Sequence, residues 1–354
     1  MMKNFFAGKK ILITGHTGFK GSWLCRMLLN LDADVYGYAL EPPTDPNMFE
    51  IIGLEECMTS CIGDITDYDR LLGFYSDVSP DIVIHMAAQP IVREGYRRPR
   101  ETYESNVMGT VNVLECARQI GSQRSIVNVT TDKVYENLDI DKHYVESDRL
   151  DGFDPYSNSK SCSELVTHSY KRSFLDGMGC AVSTARAGNV IGGGDFASER
   201  IVPDCVRAAM KKEKIIVRNP NSVRPYQHVL EPLFSYLAIA MRQWLDISVA
   251  GSYNIGPDKD DCITTGTLTE TFCRCWGDGL GWEAINDNGP HEANYLKLDN
   301  SLMKTRFGVA PLLHINDAIE KVVEWTKSWM DGKDMASVTD MEIEGYLKGR
   351  GFDV

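Results

Sequence analysis

Tyr156 and Lys160 stand four residues apart in the stretch DPYSNSK, with only small polar residues between them. Pro155 suits the first turn of a helix and Asp154 can cap it. Residues at i and i+4 share a helix face, so phenol and ammonium would be neighbours. A nearby cation is expected to lower a tyrosine pKa from about 10, and a tyrosine so tuned can take a proton from an alcohol near neutral pH. On its own the pair is equally a surface-helix pattern. Its setting adds chemistry. Thr131 ends the strand-like run SIVNVTT, where it can hydrogen-bond the hydroxyl that Tyr156 deprotonates. Lys160 can also hold the ribose of a nicotinamide nucleotide. Asp132 and Lys133 follow Thr131, at the C-terminal strand end where doubly wound folds bind ligands.

These residues need a scaffold, and strand-like and helical segments alternate along the first half of the chain. Strands are expected at 9–15, 34–40, 81–88, 125–131 and 180–192, and helices at 22–31, 67–78, 102–121 and 156–175. Strict alternation predicts an α/β fold, a Rossmann-type doubly wound parallel sheet with helices on both faces. The first βα turn reads ITGHTGFKGSWL and carries Gly15, Gly18 and Gly21, with Thr17 and Phe19 between them. The glycines permit a tight turn, close approach of a diphosphate and tight helix–strand packing. The helix N-terminus adds free N–H groups. Glu41 lies near the end of the second strand, where a carboxylate would bind ribose hydroxyls. No Lys or Arg occurs from residue 27 through 69, so NAD is favoured over NADP. GDI places Asp64 and Ile65, and MAAQP places Ala87, Ala88 and Gln89, at later strand ends facing the same cofactor. Asn106 is a candidate for supporting backbone geometry or a water nearby. Ordinary turn or helix chemistry explains each of these equally well.

Beyond residue 190 the rhythm breaks into turn-rich polar loops separated by helices at 232–246, 265–276 and 315–330. Residues 1–188 are expected to form the NAD-binding domain, with part of 226–252 returning to it. Residues 189–354 would form a smaller, loop-rich C-terminal substrate domain, its tail 333–354 adding a short helix. Arg200, Arg218 and Arg224 in its loops suit phosphate, because a guanidinium can donate two parallel bonds.

The 354 residues carry a formal charge of -13, which argues against a nucleic-acid or anionic membrane surface. No stretch reaches the ~18 apolar residues of a membrane span. The N-terminus runs into a strand without a signal-peptide pattern, so cytoplasmic residence is expected. Ten cysteines lie scattered, the close pairs Cys57/Cys61 and Cys273/Cys275 lacking zinc-site spacing. Neither a metal nor a disulfide is expected.

The strings GHTGFKGSWL, HMAAQPIVR, NVMGTVNVLE, TTDKVYEN, DPYSNSKSCSELV, RAGNVIGGGDF, RNPNSVRPYQHVLEPL and HEANYLKLD resemble the extended short-chain dehydrogenase/reductase family over nearly the whole chain. Within it the likeness is to the CDP-glucose 4,6-dehydratases. That resemblance implies bound NAD, CDP-glucose as substrate, and a homodimer through the helices at 102–121 and 156–175. It implies Asn189, Arg200, Arg224 and His291 as sugar-nucleotide contacts. It also gives Asp132-Lys133 as the pairing of the CDP-glucose branch, where dehydratases of dTDP-glucose carry Asp-Glu. The implied cycle oxidises C4, eliminates water across C5 and C6, and returns hydride to C6. Two other readings stay open: an epimerase or reductase on the same scaffold, disfavoured by Asp132-Lys133, and a non-catalytic Rossmann binding protein, disfavoured by the intact Thr131, Tyr156 and Lys160.

Overall fold

The computed structural model describes residues 2–285 and 295–352. Its centre is a seven-stranded parallel sheet built from β1 (Lys10–Thr14), β2 (Asp34–Ala39), β3 (Thr59–Ile62), β4 (Ile82–His85), β5 (Ser125–Val129), β6 (Ala181–Ala187) and β7 (Ser252–Ile255). The strand order is β7-β6-β5-β4-β1-β2-β3, and every pairing is parallel. The order reverses direction between β1 and β4, so a crevice opens there at the C-terminal strand ends. The sheet was expected; β3 and β7 were not. TSCI has no long β-branched run, and SYNI sits inside a turn-rich region.

The pleat explains why both sheet faces are buried. Leu12, Val83, Ile126 and Val182 point to one face, where they meet Leu71, Tyr75, Val113 and Leu114. These come from α1 (Tyr68–Val78) and α2 (Gly109–Ile120). Ile11, Ile13, Ile82, Ile84, Val127 and Ala185 point to the other face. There they meet α3 (Leu230–Leu245), in which thirteen of sixteen residues are buried. Two residues beyond the first apolar row the same register aligns Thr14, His85, Asn128, Thr184 and Ser252. This polar row lies directly beneath the catalytic strand ends. Thr14 Oγ1 meets His85 Nδ1 at 2.7 Å, and Asn128 Nδ2 donates to Thr167 Oγ1 at 2.7 Å. Buried polar groups so paired help fix register, although Asn128 Oδ1 finds no partner among the described residues.

The helix expected at 102–121 is interrupted. Pro99–Tyr103 and Gly109–Ile120 flank a π-helical turn at Glu104–Met108. Such bulges reorient side chains, and this one carries Asn106. The tail forms a fifteen-residue helix, Met335–Gly349. Its Met335, Ile343, Tyr346 and Leu347 join the main core. Arg350, just beyond, pairs with buried Glu231. No helix among the described residues is long and apolar enough to cross a membrane.

Candidate active site

The helix Pro155–Tyr170 starts as the sequence requires. Asp154 Oδ1 accepts from the N–H groups of Tyr156 and Ser157 at 3.0 and 3.1 Å, with Pro155 in the first turn. Tyr156 and Lys160 are both buried on the face turned to the end of β5. Lys160 Nζ donates to the carbonyl of Val129 at 3.2 Å, and the Tyr156 hydroxyl is hydrogen-bonded to Thr131. Thr131 Oγ1 donates to Asp132 Oδ1 at 2.9 Å. Lys133 Nζ lies 3.5 Å from both Asp132 Oδ1 and Asn189 Oδ1. Asp132 is 1% exposed, and its Oδ2 is buried without a hydrogen-bond partner among the described residues. All five catalytic candidates therefore meet at one strand end.

One expectation fails. The helical neighbour does not make Tyr156 acidic: burial pushes the phenol up to about 12, against smaller opposing effects of Thr131 and Arg200. Burial also brings Lys160 down to about 8, with Glu164 opposing. For both groups desolvation is the largest cause, because both lie in the same dry layer.

A cleft of about 540 Å³ opens over these residues. Thr131, Asp132, Lys133 and Tyr156 line its floor, and Asn189, Arg200, Arg218 and Arg224 its walls. Arg200 Nη1 is 3.6 Å from Asp195 Oδ2. His291 lies outside the described residues. The cleft also contains Lys20, which sequence reasoning missed although it is the one lysine or arginine of the glycine string. Its ammonium lies 5.9 Å from the centre of the Tyr236 ring. Burial, helped by Arg200 and Lys160 and opposed by Asp132, brings Lys20 down to about 7.

The glycine loop fits a dinucleotide diphosphate. Gly15 has φ +80, and a Cβ there would lie 2.8 Å from the backbone N of Ala87. A Cβ on Gly21 would lie 2.1 Å from the Gly15 carbonyl oxygen. On Gly18 it would meet only that oxygen, at 3.5 Å. The helix that follows, Phe19–Asn30, has no side-chain cap, so its first N–H groups face the loop opening, as anion binding requires. Thr17 Oγ1 donates to the Leu40 carbonyl at 2.8 Å, which ties the loop to the strand end where exposed Glu41 stands. Asp64 spends its Oδ1 on its own turn, accepting from Thr66 N and Oγ1, both at 2.8 Å. Ile65 is buried against Gly109. Phe19 packs partly buried on the main core. The half-buried pair Ala87 and Ala88 leads into Gln89. Gln89 N donates to Asn106 Oδ1 at 2.8 Å, and Asn106 Nδ2 donates to the Gln89 carbonyl at 3.1 Å and to Ser159 at 2.9 Å. Asn106 thus braces backbone. No group of three or more metal-ligating side chains occurs among the described residues.

Comparison with known proteins gives the same picture. A CDP-glucose 4,6-dehydratase of Salmonella typhimurium is 43% identical over 351 residues, covering 98% of each chain. A solved dTDP-glucose 4,6-dehydratase of Streptomyces venezuelae matches with TM-score 0.79 at 23% identity, over 92% of this chain and 99% of that one. A UDP-glucose 4-epimerase of Thermotoga maritima matches with TM-score 0.78 at 19% identity, over 90% and 99%. These two likenesses are of fold. The family model described as "NAD dependent epimerase/dehydratase family" matches residues 11–256. With the glycine loop after β1, the reversal of strand order and the Thr-Tyr-Lys cluster at the end of β5, this chain belongs to the NAD-dependent epimerase/dehydratase family.

Proposed function

We propose that this chain is an NAD-dependent hydro-lyase that converts CDP-D-glucose to CDP-4-keto-6-deoxy-D-glucose. The observation that carries this reading is the carboxyl of Asp132, buried at the strand end beside Tyr156 with one oxygen unpartnered, and Lys133 next to it. Epimerisation or reduction needs only Thr131, Tyr156 and Lys160. Dehydration needs, in addition, an acid for the leaving hydroxyl and a group that handles the C5 proton. The likeness to the Salmonella enzyme supports the cytidine nucleotide.

NAD, when bound at the glycine loop, supplies the hydride acceptor for C4 and the hydride that ends on C6. The residues expected to hold it are Gly15, Thr17, Gly18, Phe19, Gly21, Glu41, Asp64, Ile65, Ala87, Ala88, Gln89, Asn106, Tyr156 and Lys160. Tyr156 takes the proton of the C4 hydroxyl, which Thr131 orients. The C4 ketone makes the C5 proton acidic; Lys133 accepts it in its neutral form, or as an ammonium stabilises the enolate while another base accepts the proton. Asp132, protonated, gives its proton to the C6 hydroxyl, which departs as water. Asn189, Arg200, Arg218, Arg224 and His291 hold the sugar nucleotide, the arginines facing its diphosphate. Residues 1–188 with part of 226–252 then serve mainly the cofactor, and the rest of 189–354 mainly the sugar nucleotide.

We place the protein in the cytoplasm as a homodimer. Exposed Met108, Leu165 and Phe174, within residues 102–121 and 156–175, support that pairing, and a monomer mass by light scattering would remove it. The activity test is incubation with CDP-glucose. The expected result is the alkali-labile ultraviolet chromophore of a 4-keto sugar without net NADH. Epimerised nucleotide without keto product, or unchanged substrate, would overturn the reading.

A further inference from the structure

Glu164 stands four residues beyond Lys160, on the same face of the helix, and is fully buried with Arg186. Neither has a place in the chemistry above. The carboxylate accepts Arg186 Nε at 3.0 Å on one oxygen and Arg186 Nη2 at 2.8 Å on the other, a bidentate pair. The same two oxygens accept the hydroxyls of Thr130 and Thr184. Thr130 immediately precedes Thr131. Arg186 then reaches the far end of the catalytic segment: its Nη1 donates to the Tyr135 hydroxyl at 2.9 Å and to the Glu146 carbonyl at 3.0 Å. Tyr135, which also lines the cleft, donates its hydroxyl hydrogen bond to Asn254 Oδ1 at 2.6 Å. Residues 130 and 135 are therefore held by one ion pair, and the reacting Thr131, Asp132 and Lys133 lie between them.

Removing two charges from water is costly, and a buried pair of this kind adds little stability over apolar packing. A role in geometry and charge accounts for it better. We infer that the Glu164–Arg186 pair is a positioning device: it brackets the catalytic segment 130–135 and supplies the negative charge that keeps Lys160 a cation. Burial pulls Lys160 toward neutrality, and Glu164 is the group opposing that pull. The other titratable groups that act with Lys160 from packed elements are Lys20 from the helix Phe19–Asn30 and His85 from β4, with Tyr156 one turn back on its own helix. Burial lowers His85 to about 3, so it stays neutral.

The inference rests on the dehydratase reading, and the test separates the two. Turnover of CDP-glucose is followed against pH in wild type, Glu164→Gln and Tyr135→Phe, each checked for fold by circular dichroism. Glu164→Gln removes the negative charge, so Lys160 loses its proton at lower pH. The alkaline limb of kcat should move down by about one pH unit, kcat should fall about tenfold, and KM should change less than twofold. Tyr135→Phe keeps the charges and the ring stacked on Tyr144. It should lower kcat about tenfold and leave the limb in place. A folded Glu164→Gln protein with an unmoved limb, or Tyr135→Phe with kcat within twofold of wild type, overturns the inference. If Glu164→Gln does not fold, Glu164→Asp, which keeps the charge but shortens its reach, should lower kcat without moving the limb; wild-type kcat in that variant overturns it. If wild type makes no keto product, the dehydratase reading falls. The 15Nζ titration of Lys160, assigned with Lys160→Met, then decides: a lower midpoint in Glu164→Gln upholds the inference and an equal one overturns it.

Discussion

Tyr156 works from a dry position. With its phenol held at about 12, it is a weak acid, and Lys160 is the cation on its own helix left to stabilise the phenolate. Lys160 in turn keeps its proton only below about 8. Turnover should therefore fall as pH rises through about 8, and a kcat–pH profile still rising above 9 would contradict Lys160 as the cation required. Tyr156→Phe should lower kcat by about a thousandfold or more while NAD still binds, as fluorescence quenching would read. That size follows from losing a general base together with its alignment. Asp132→Asn keeps the shape of the carboxyl but has no acidic proton to give. NADH absorbance should then accumulate in a single turnover; a product rate like wild type would remove Asp132 as the acid.

At the scale of elements, the site depends on where helices start and strands stop. The helix carrying Tyr156 begins where Asp154 caps two N–H groups and also accepts the Ser157 hydroxyl. Asp154→Ala should cost about 1 kcal/mol of stability and lower turnover more than that loss alone explains, because the capped residue is the catalytic tyrosine. Thermal unfolding and kcat on one sample would compare the two. The glycine loop has less tolerance. In Gly21→Ala the new methyl would lie 2.1 Å from the Gly15 carbonyl oxygen, which is backbone and has nowhere to go. The loop must shift, and NAD affinity should drop at least tenfold by calorimetry. Cap and glycines were both legible in the sequence, because each acts over a few residues. The π-helical turn at Glu104–Met108 was not. It places Asn106 to brace Gln89 from seventeen residues away, and no local propensity encodes such a bulge.

At the scale of the whole molecule, the tail helix Met335–Gly349 closes the core behind the phosphate loop. Met335, Ile343, Tyr346 and Leu347 are buried in the same core as Trp23 and Leu24 from the helix that follows the glycines. Arg26 also binds Asp340, Nε to Oδ1 at 2.6 Å. A chain stopped at residue 333 should expose that apolar surface, at about 25 cal/mol per Å², and lose stability and cofactor affinity together. Normal NAD binding in the truncated protein would show that the tail only covers the surface.

The amino-acid order alone determined what depends on neighbours in the chain: the alternation that makes a parallel sheet, the glycine turn, the capped helix with Tyr156 and Lys160 on one face, and Asp132-Lys133 after a strand. Only the folded molecule decided what depends on distant segments meeting in a dry interior. It set the phenol's acidity, since burial, a property of the whole core, is the largest cause of its shift. It brought Lys20 into the cleft. It also joined Glu164, Arg186 and Tyr135 through contacts that span up to fifty-one positions, a distance over which periodicity carries no information.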